Sequence, residues 1–156
     1  MKVGVADTTF SRFDYAPVVL KVLASSKPPV EIERYTVPGI KDLPVACKML
    51  FRKGCSIVIA CGMVGPAAID TQCAHEASLG LQAVQLAECK HILEVFVHMA
   101  EAKSDTELAS ICEDRARKHA QNALWLLFDR KELQQRASTG RRQGREDAGS
   151  ISISRR

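Results

Sequence analysis

The sequence predicts a three-layer α/β/α domain around a four-stranded parallel sheet. Three observations predict it. Short apolar runs alternate four times with segments of helical period, the pattern of βα units. The run Ser56-Ile57-Val58-Ile59-Ala60-Cys61 is almost continuously apolar, as expected of a strand covered on both faces. The turn Pro38-Gly39 leads from an extended segment straight into helix, the way an α/β protein builds a ligand loop.

In chain order, Lys2 to Asp7 reads as a short buried strand. Tyr15 to Ser26 carries Ala16, Val19, Leu20 and Leu23 at helical spacing, and Pro28-Pro29 stops that helix. Val30 to Val37 reads as the second strand. Asp42 to Lys53 is helical, with a proline in its first turn and Gly54 where a C′ residue belongs. Ser56 to Cys61 is the third strand and Asp70 to about Cys89 a long helix. Ile92 to His98 is the fourth strand. Ser104-Asp105-Thr106-Glu107 has the form of a capping box. It opens a helix to about Phe128, with Leu108, Cys112, Ala116, Ala120, Ala123 and Leu127 as its apolar stripe. Beyond Asp129 the pattern dissolves into charge, glycine and serine. Residues 1–128 are therefore expected to form one α/β domain and 129–156 a C-terminal extension.

Composition narrows the function classes. A chain of 156 residues can bury roughly two-thirds of its unfolded surface. Its 46% hydrophobic and 26% charged content is ordinary for a soluble globular protein. No apolar run approaches the ~18 residues of a membrane span, and the first residues read as a strand rather than a signal peptide, so a cytoplasmic location is expected. The six cysteines lie singly with no C-x-x-C pair and read as small buried hydrophobes, not as disulfides or a zinc site. The net charge of +4 is concentrated in a basic tail, which argues against a nucleic-acid face.

Parallel sheets bind ligands beyond the carboxyl ends of their strands. Those ends are Asp7 to Asp14, Pro38 to Asp42, Gly62 to Pro66, and His98 to Glu101. Cys61-Gly62-Met63-Val64-Gly65-Pro66 is read as a second ligand loop beside Pro38 to Asp42, each offering free N–H groups at a helix start. Neither nucleotide fingerprint, G-x-x-x-x-G-K-[ST] or G-x-G-x-x-G, is present. His98 ends a strand on this edge, where an imidazole can exchange protons near neutrality; its plain alternative is a strand-end residue bonded to a neighbouring loop. His75 shares a helical face with Ser78, Leu79 and Gln82, and is either a pocket residue or an ordinary helical histidine. Phe10 leans towards stacking on a flat ring and Phe13 towards the core. The acidic residues form no pattern that demands a divalent metal. The tail from Gly140 to Gly149 is either a solvated terminus or a recognition element, because its acids follow its arginines and its glycines recur at intervals; Ser150 to Arg156 reads as dispensable and disordered.

Five blocks in order resemble one family. They are Asp7-Thr8-Thr9-Phe10, Val37 to Lys48, Cys73 to Leu81, Glu94 to His98, and the tail from Arg142-Gln143-Gly144 through Glu146-Asp147-Ala148-Gly149. Together they resemble the archaeal type of riboflavin synthase, over nearly the whole chain to about Gly149. The resemblance implies a flavodoxin-like, lumazine synthase-like fold and a homopentamer with active sites at subunit interfaces. It implies the dismutation of two molecules of 6,7-dimethyl-8-ribityllumazine to riboflavin and 5-amino-6-ribitylamino-uracil by four-carbon transfer. No organic cofactor is implied, although magnesium is associated with some members. By the same resemblance Pro38, Gly39, Ile40, Lys41 and Asp42 bind the pyrimidine end or ribityl chain. Gly62, Met63 and Gly65 line the other side, Thr9 and Phe10 flank the ring, and Glu101 lies nearby. Proton transfer falls to His98, with His75 as second choice, and Gly140 to Gly149 reaches towards a neighbouring subunit.

Two alternatives belong to other classes. Lumazine synthase itself needs a phosphate pocket and a histidine after its third strand, whereas Gly65-Pro66-Ala67-Ala68-Ile69-Asp70-Thr71 contains none. A non-catalytic lumazine- or flavin-binding oligomer is the second alternative.

Overall fold

A computed structural model of the chain describes residues 1–151, so most of the tail end expected to be disordered, residues 152–156, lies outside the described residues. The strands are β1 (Lys2–Thr8), β2 (Glu31–Val37), β3 (Ile57–Val64) and β4 (Ile92–His98). The helices are α1 (Ala16–Ala24), α2 (Leu43–Arg52), α3 (Ala68–Glu88), α4 (Asp105–Phe128) and α5 (Arg130–Gln135), with single 3-10 turns at Ile40–Asp42 and Met99–Glu101. All strands are parallel, in the order β2-β1-β3-β4. The chain leaves β1 in one direction to reach β2 and returns past it to β3, which makes the β1–β3 boundary the switch point of the sheet.

Side-chain alternation divides the core in two. Val3, Val5, Ile57, Ile59, Cys61, Met63, Val95 and Val97 face α1 and α4. Ala6, Val58, Ala60, Val64, Ile92 and Phe96 face α2 and α3. Tyr15 is 1% exposed at the head of α1, and its hydroxyl donates to the Gly62 carbonyl at 3.3 Å. Burial, reinforced by the Cys112 thiol 3.2 Å away, pushes that phenol well above its ordinary range and keeps it neutral. The α2–α3 pair packs closely because Gly80 leaves room for Pro44: a Cβ at Gly80 would come within 2.8 Å of the proline ring.

Three features differ from the sequence expectation. β3 runs on to Val64, because Gly62, Met63 and Val64 pair with Phe96, Val97 and His98 of β4. The two glycines that read as a loop are strand and strand end, tolerated there because their neighbours occupy the space a side chain would need. The charged stretch after Asp129 begins with a helix, α5, capped by the Asp129 carboxylate on the Glu132 N–H at 3.1 Å. Cys47, Cys55, Cys61 and Cys112 are buried as expected, but Cys73 is half-buried and Cys89 exposed.

Candidate active site

The carboxyl edge of the sheet carries, in spatial order, Pro38 beyond β2, Thr9 beyond β1, Gly65 beyond β3 and His98 at the end of β4. The β2 and β1 ends are stitched together. Thr9 N–H donates to Val37 O at 2.9 Å, Phe10 N–H to Pro38 O at 3.3 Å, and the Thr9 hydroxyl to the same Pro38 carbonyl at 3.3 Å. Phe10 remains 56% exposed with its ring free for a flat partner, while Phe13 packs edge-on against Tyr15 with centroids 5.2 Å apart.

The Pro38–Asp42 loop is fixed from both ends. Ile40 lies over Gly62, where a Cβ would meet its Cγ2 at 2.7 Å, so the sheet must offer bare backbone at that point. Lys41 pairs with Glu76 of α3 at 2.6 Å, and Gln72 also donates to Glu76. The expected free N–H groups are not free. Gly39 N–H is accepted by the Asp42 carboxylate at 3.2 Å and Ala67 N–H by the Asp70 carboxylate at 3.0 Å. Both helix starts thus carry their own anion at the position a phosphate would take, and Pro66 has no N–H to offer. At Gly65 the Asp70 carboxylate comes within 2.3 Å of where a Cβ would stand, which requires glycine.

Beneath the β1 end lies a polar network the sequence reading missed. Asp7 is 5% exposed and accepts from Arg34 Nε at 2.8 Å and from Thr36 Oγ1 at 2.6 Å. Arg34 also reaches Asp14 at 3.7 Å. These groups, with Thr9 and Ser11, line a cavity of ≈390 Å³ open to solvent. Register pairs Asp7 with Thr36 and Val5 with Arg34, so all three side chains share the α1 side of the sheet. The alternation of polar residues in β2 was the available signal. Thr8 Oγ1, buried on the opposite face, has no hydrogen-bond partner, an unmet acceptor and donor at the strand end.

At the far edge, His98 is half-buried and its backbone N–H donates to Glu101 at 2.9 Å. Two expected binding residues take other roles here. Met63 is 1% exposed in the core beneath α1 and α4, because β3 extends through it and directs it inward. Glu101 spends both carboxylate oxygens on protein groups: Arg115 Nη1 at 2.9 Å and Nη2 at 2.6 Å, the His98 N–H, and Arg145 at 3.4 Å. Burial opposes its ionisation, but these donors outweigh it and hold the carboxyl down to about 2. His75 is exposed on α3, seven residues past Ala68 and so about 10 Å from the helix start at the edge. His98 and Pro38 stand at opposite edges of the sheet, three strand spacings or about 14 Å apart.

A metal does not fit these donors within one subunit. Asp7, Asp42, Asp70 and Glu101 are each engaged as described, and among the described residues no three His, Cys, Asp or Glu side chains converge. The tail from Gly140 to Gly149 folds onto its own subunit: Gly144 N–H donates to Asp114 at 3.0 Å, and Ala148 N–H to Gly140 O at 2.8 Å.

Comparison with known proteins fixes the lineage. Residues 1–130 match the family model for 6,7-dimethyl-8-ribityllumazine synthase. The riboflavin synthase of Methanothermobacter thermautotrophicus is 48% identical over 97% of this chain and 99% of its own length. Those of Archaeoglobus fulgidus and Aeropyrum pernix are 45% and 47% identical, over 97% and 96% of this chain and 99% and 97% of theirs. The chain belongs to the archaeal riboflavin synthases of the lumazine synthase family. The four-stranded parallel sheet with its flanking helices is the lumazine synthase-like fold of that family. Among the described residues no helix is long and apolar enough to cross a membrane.

Proposed function

We propose that the protein is a riboflavin synthase, converting two molecules of 6,7-dimethyl-8-ribityllumazine to riboflavin and 5-amino-6-ribitylamino-uracil. The observation that carries this is the 45–48% identity to riboflavin synthases over nearly the full length of both chains. The site supports the choice over lumazine synthase. A four-carbon phosphate needs an anion cradle, and both helix starts on this edge are closed by Asp42 and Asp70. A neutral, flat, polyhydroxylated ligand has instead an exposed ring at Phe10, the Pro38–Asp42 loop, Gly62 and Gly65 as points of close approach, and the unpartnered Thr8 hydroxyl.

Dismutation moves a four-carbon unit between identical molecules, so the two products contain all the atoms of the two substrates and no outside oxidant is needed. The lumazine carries the reactivity through its acidic C7 methyl group. The protein holds two copies in opposed registry, where effective molarity is worth roughly 7–11 kcal/mol. His98 exchanges the proton at the methyl carbon, adding about 10²–10⁴-fold; His75, further from the edge, is the weaker candidate. No organic cofactor enters, and no step runs through magnesium.

Pro38 and His98 stand at the two ends of the edge, and two lumazines held in opposed registry need more wall than one subunit's edge offers. We therefore place the complete site between subunits of a homopentamer, one giving the Pro38–Asp42 loop and its neighbour the β4 end. Exposed apolar side chains on α2 and α3 (Val45, Met49, Ile69, Leu79 and Leu86) offer surface for such contacts. The chain's cysteines, with no pairing, suit the cytoplasm.

The test uses purified protein and 6,7-dimethyl-8-ribityllumazine alone, followed by absorption and fluorescence, with mass measured in solution. Riboflavin formation by a five-subunit particle is expected. An unchanged spectrum would mean a carrier, and product only after adding the pyrimidine and a four-carbon phosphate would mean lumazine synthase.

A further inference from the structure

The β4 end is held by an arrangement that the binding of a lumazine does not explain. Arg115, in the third turn of α4, is largely buried, and its guanidinium makes three hydrogen bonds in two directions. Nη1 donates to the Phe96 carbonyl at 2.5 Å, inside β4, and to Glu101 Oε1 at 2.9 Å; Nη2 donates to Glu101 Oε2 at 2.6 Å. Glu101 in turn accepts the His98 N–H through the oxygen that Nη1 holds. Phe96 and Glu101, on either side of Val97-His98, are thereby tied to one planar group, which holds the backbone from which the His98 side chain leaves.

The tail closes the arrangement from outside. Gly144 sits at φ +73°, a left-handed conformation natural to glycine, and a Cβ there would stand 2.5 Å from Arg115 Nε. Its N–H is fixed by Asp114, the residue before Arg115, while Arg145 adds a second cation to Glu101. The tail glycine thus lies against the guanidinium and excludes water from its unbonded side. A lysine at 115 could hold Glu101 but could not fork between it and the Phe96 carbonyl.

We propose that Arg115 is a positioning residue for His98, acting through Glu101 and the Phe96 carbonyl, and that Gly144 in the tail is the cover this arrangement requires. The inference rests on His98 being the proton-transfer group. It gives the tail a role within its own subunit, distinct from any reach towards a neighbour.

The experiment is a double-mutant cycle on the full chain with kcat and KM for the lumazine, using His98→Gln, Arg115→Lys and the pair. Solution mass and thermal unfolding accompany each variant. Arg115→Lys should lower kcat by about 10- to 100-fold with KM changed less than threefold, as for a reacting group displaced by a fraction of an ångström to an ångström. In the His98→Gln background the same change should have almost no further effect. An equal loss in both backgrounds would overturn the positioning role while leaving His98 its chemistry. Full turnover in His98→Gln would instead sink the proton-transfer assignment, and with it this inference. Gly144→Ala gives an independent arm. It keeps both Arg115 and Glu101 in the sequence but crowds the guanidinium, and should reproduce the kcat loss, again only when His98 is present; unchanged turnover would overturn the role of the cover. A variant that fails to assemble is replaced by Glu101→Gln, which keeps an acceptor for the His98 N–H and should lose less turnover than Arg115→Lys. A larger loss would contradict the proposal.

Discussion

The two halves of the ligand edge are built on different principles. On the β2–β1 side the contacts at the edge are backbone bonds from Thr9 and Phe10, Ile40 resting on bare Gly62, and helix starts closed by their own aspartates, with the Asp7–Arg34 pair beneath. On the β4 side a half-buried histidine rests on a buried ion pair between Glu101 and Arg115, sealed by the tail. The first construction offers shape and hydrogen-bond groups, with its charges paired locally and partly open to solvent. The second fixes one group tightly at the cost of desolvating two charges, which is offset by the two-pronged Glu101–Arg115 pairing and the further bonds to the Phe96 carbonyl and the His98 N–H. In the proposed reading, recognition falls mainly to the first construction and proton transfer to the second.

The largest effect expected from breaking this contrast comes from acid. Glu101 is held down to about 2 in the folded chain against an ordinary 4.5, so its contribution is present in full above about pH 4.5 and is lost as pH falls through that value towards 2. The loss amounts to at most about 3 kcal/mol. Trp125, the sole tryptophan, lines a cavity with Arg141, Arg142 and Gln143 of the tail, so its fluorescence reports tail docking. A step in that window is expected, and it should disappear in Glu101→Gln. His119 on α4 titrates in a different window. Burial, helped by Arg115, holds its imidazole down to about 4 from 6.5, so stability falls as pH drops from about 6.5 to 4. The two steps separate by substitution. If Glu101→Gln left the lower step intact, tail docking would not depend on this ion pair.

Gly62→Val sharpens the other half. A Cβ at Gly62 meets Ile40 at 2.7 Å and Phe96 at 3.1 Å, so the loop must lift. A stability loss of about 1–3 kcal/mol is expected from the overpacking. Where the variant remains folded, KM should rise severalfold with kcat nearly kept, opposite to the pattern expected at Arg115. A fall in kcat alone would show that the edges do not divide their work.

Much of this was legible in the sequence, and the exceptions have physical reasons. The four βα units follow from period and caps, and β4 was placed at Ile92 to His98 as observed. β3 was cut short because Gly62 and Gly65 are loop signals locally, while the space they leave is used by Ile40 and Asp70 from other segments. Pairings such as Glu101 with Arg115 and Gly144 with Asp114 are set by how α4 lies along β4, which no local pattern encodes. The closed helix starts were readable: Asp42 and Asp70 each stand three residues after the residue whose N–H they accept.

That closure gives the smallest prediction and the most selective one. Asp70→Asn keeps an acceptor for the Ala67 N–H but removes the negative charge at the start of a 21-residue helix. The cost to stability is about 1 kcal/mol or less, since a neutral cap still forms and only the charge–dipole part is lost. The helix start then becomes attractive to an outside anion. Inorganic phosphate should inhibit the variant at millimolar concentration, competitively with the lumazine, while leaving the parent protein unaffected. The parent is the decisive control. Should phosphate inhibit it equally, Asp70 does not close the cradle, and the distinction drawn from lumazine synthase at this edge fails. Should phosphate affect neither, the start of α3 lies away from the bound lumazine, and the site is confined to the Pro38–Asp42 loop, Phe10 and the neighbouring β4 end.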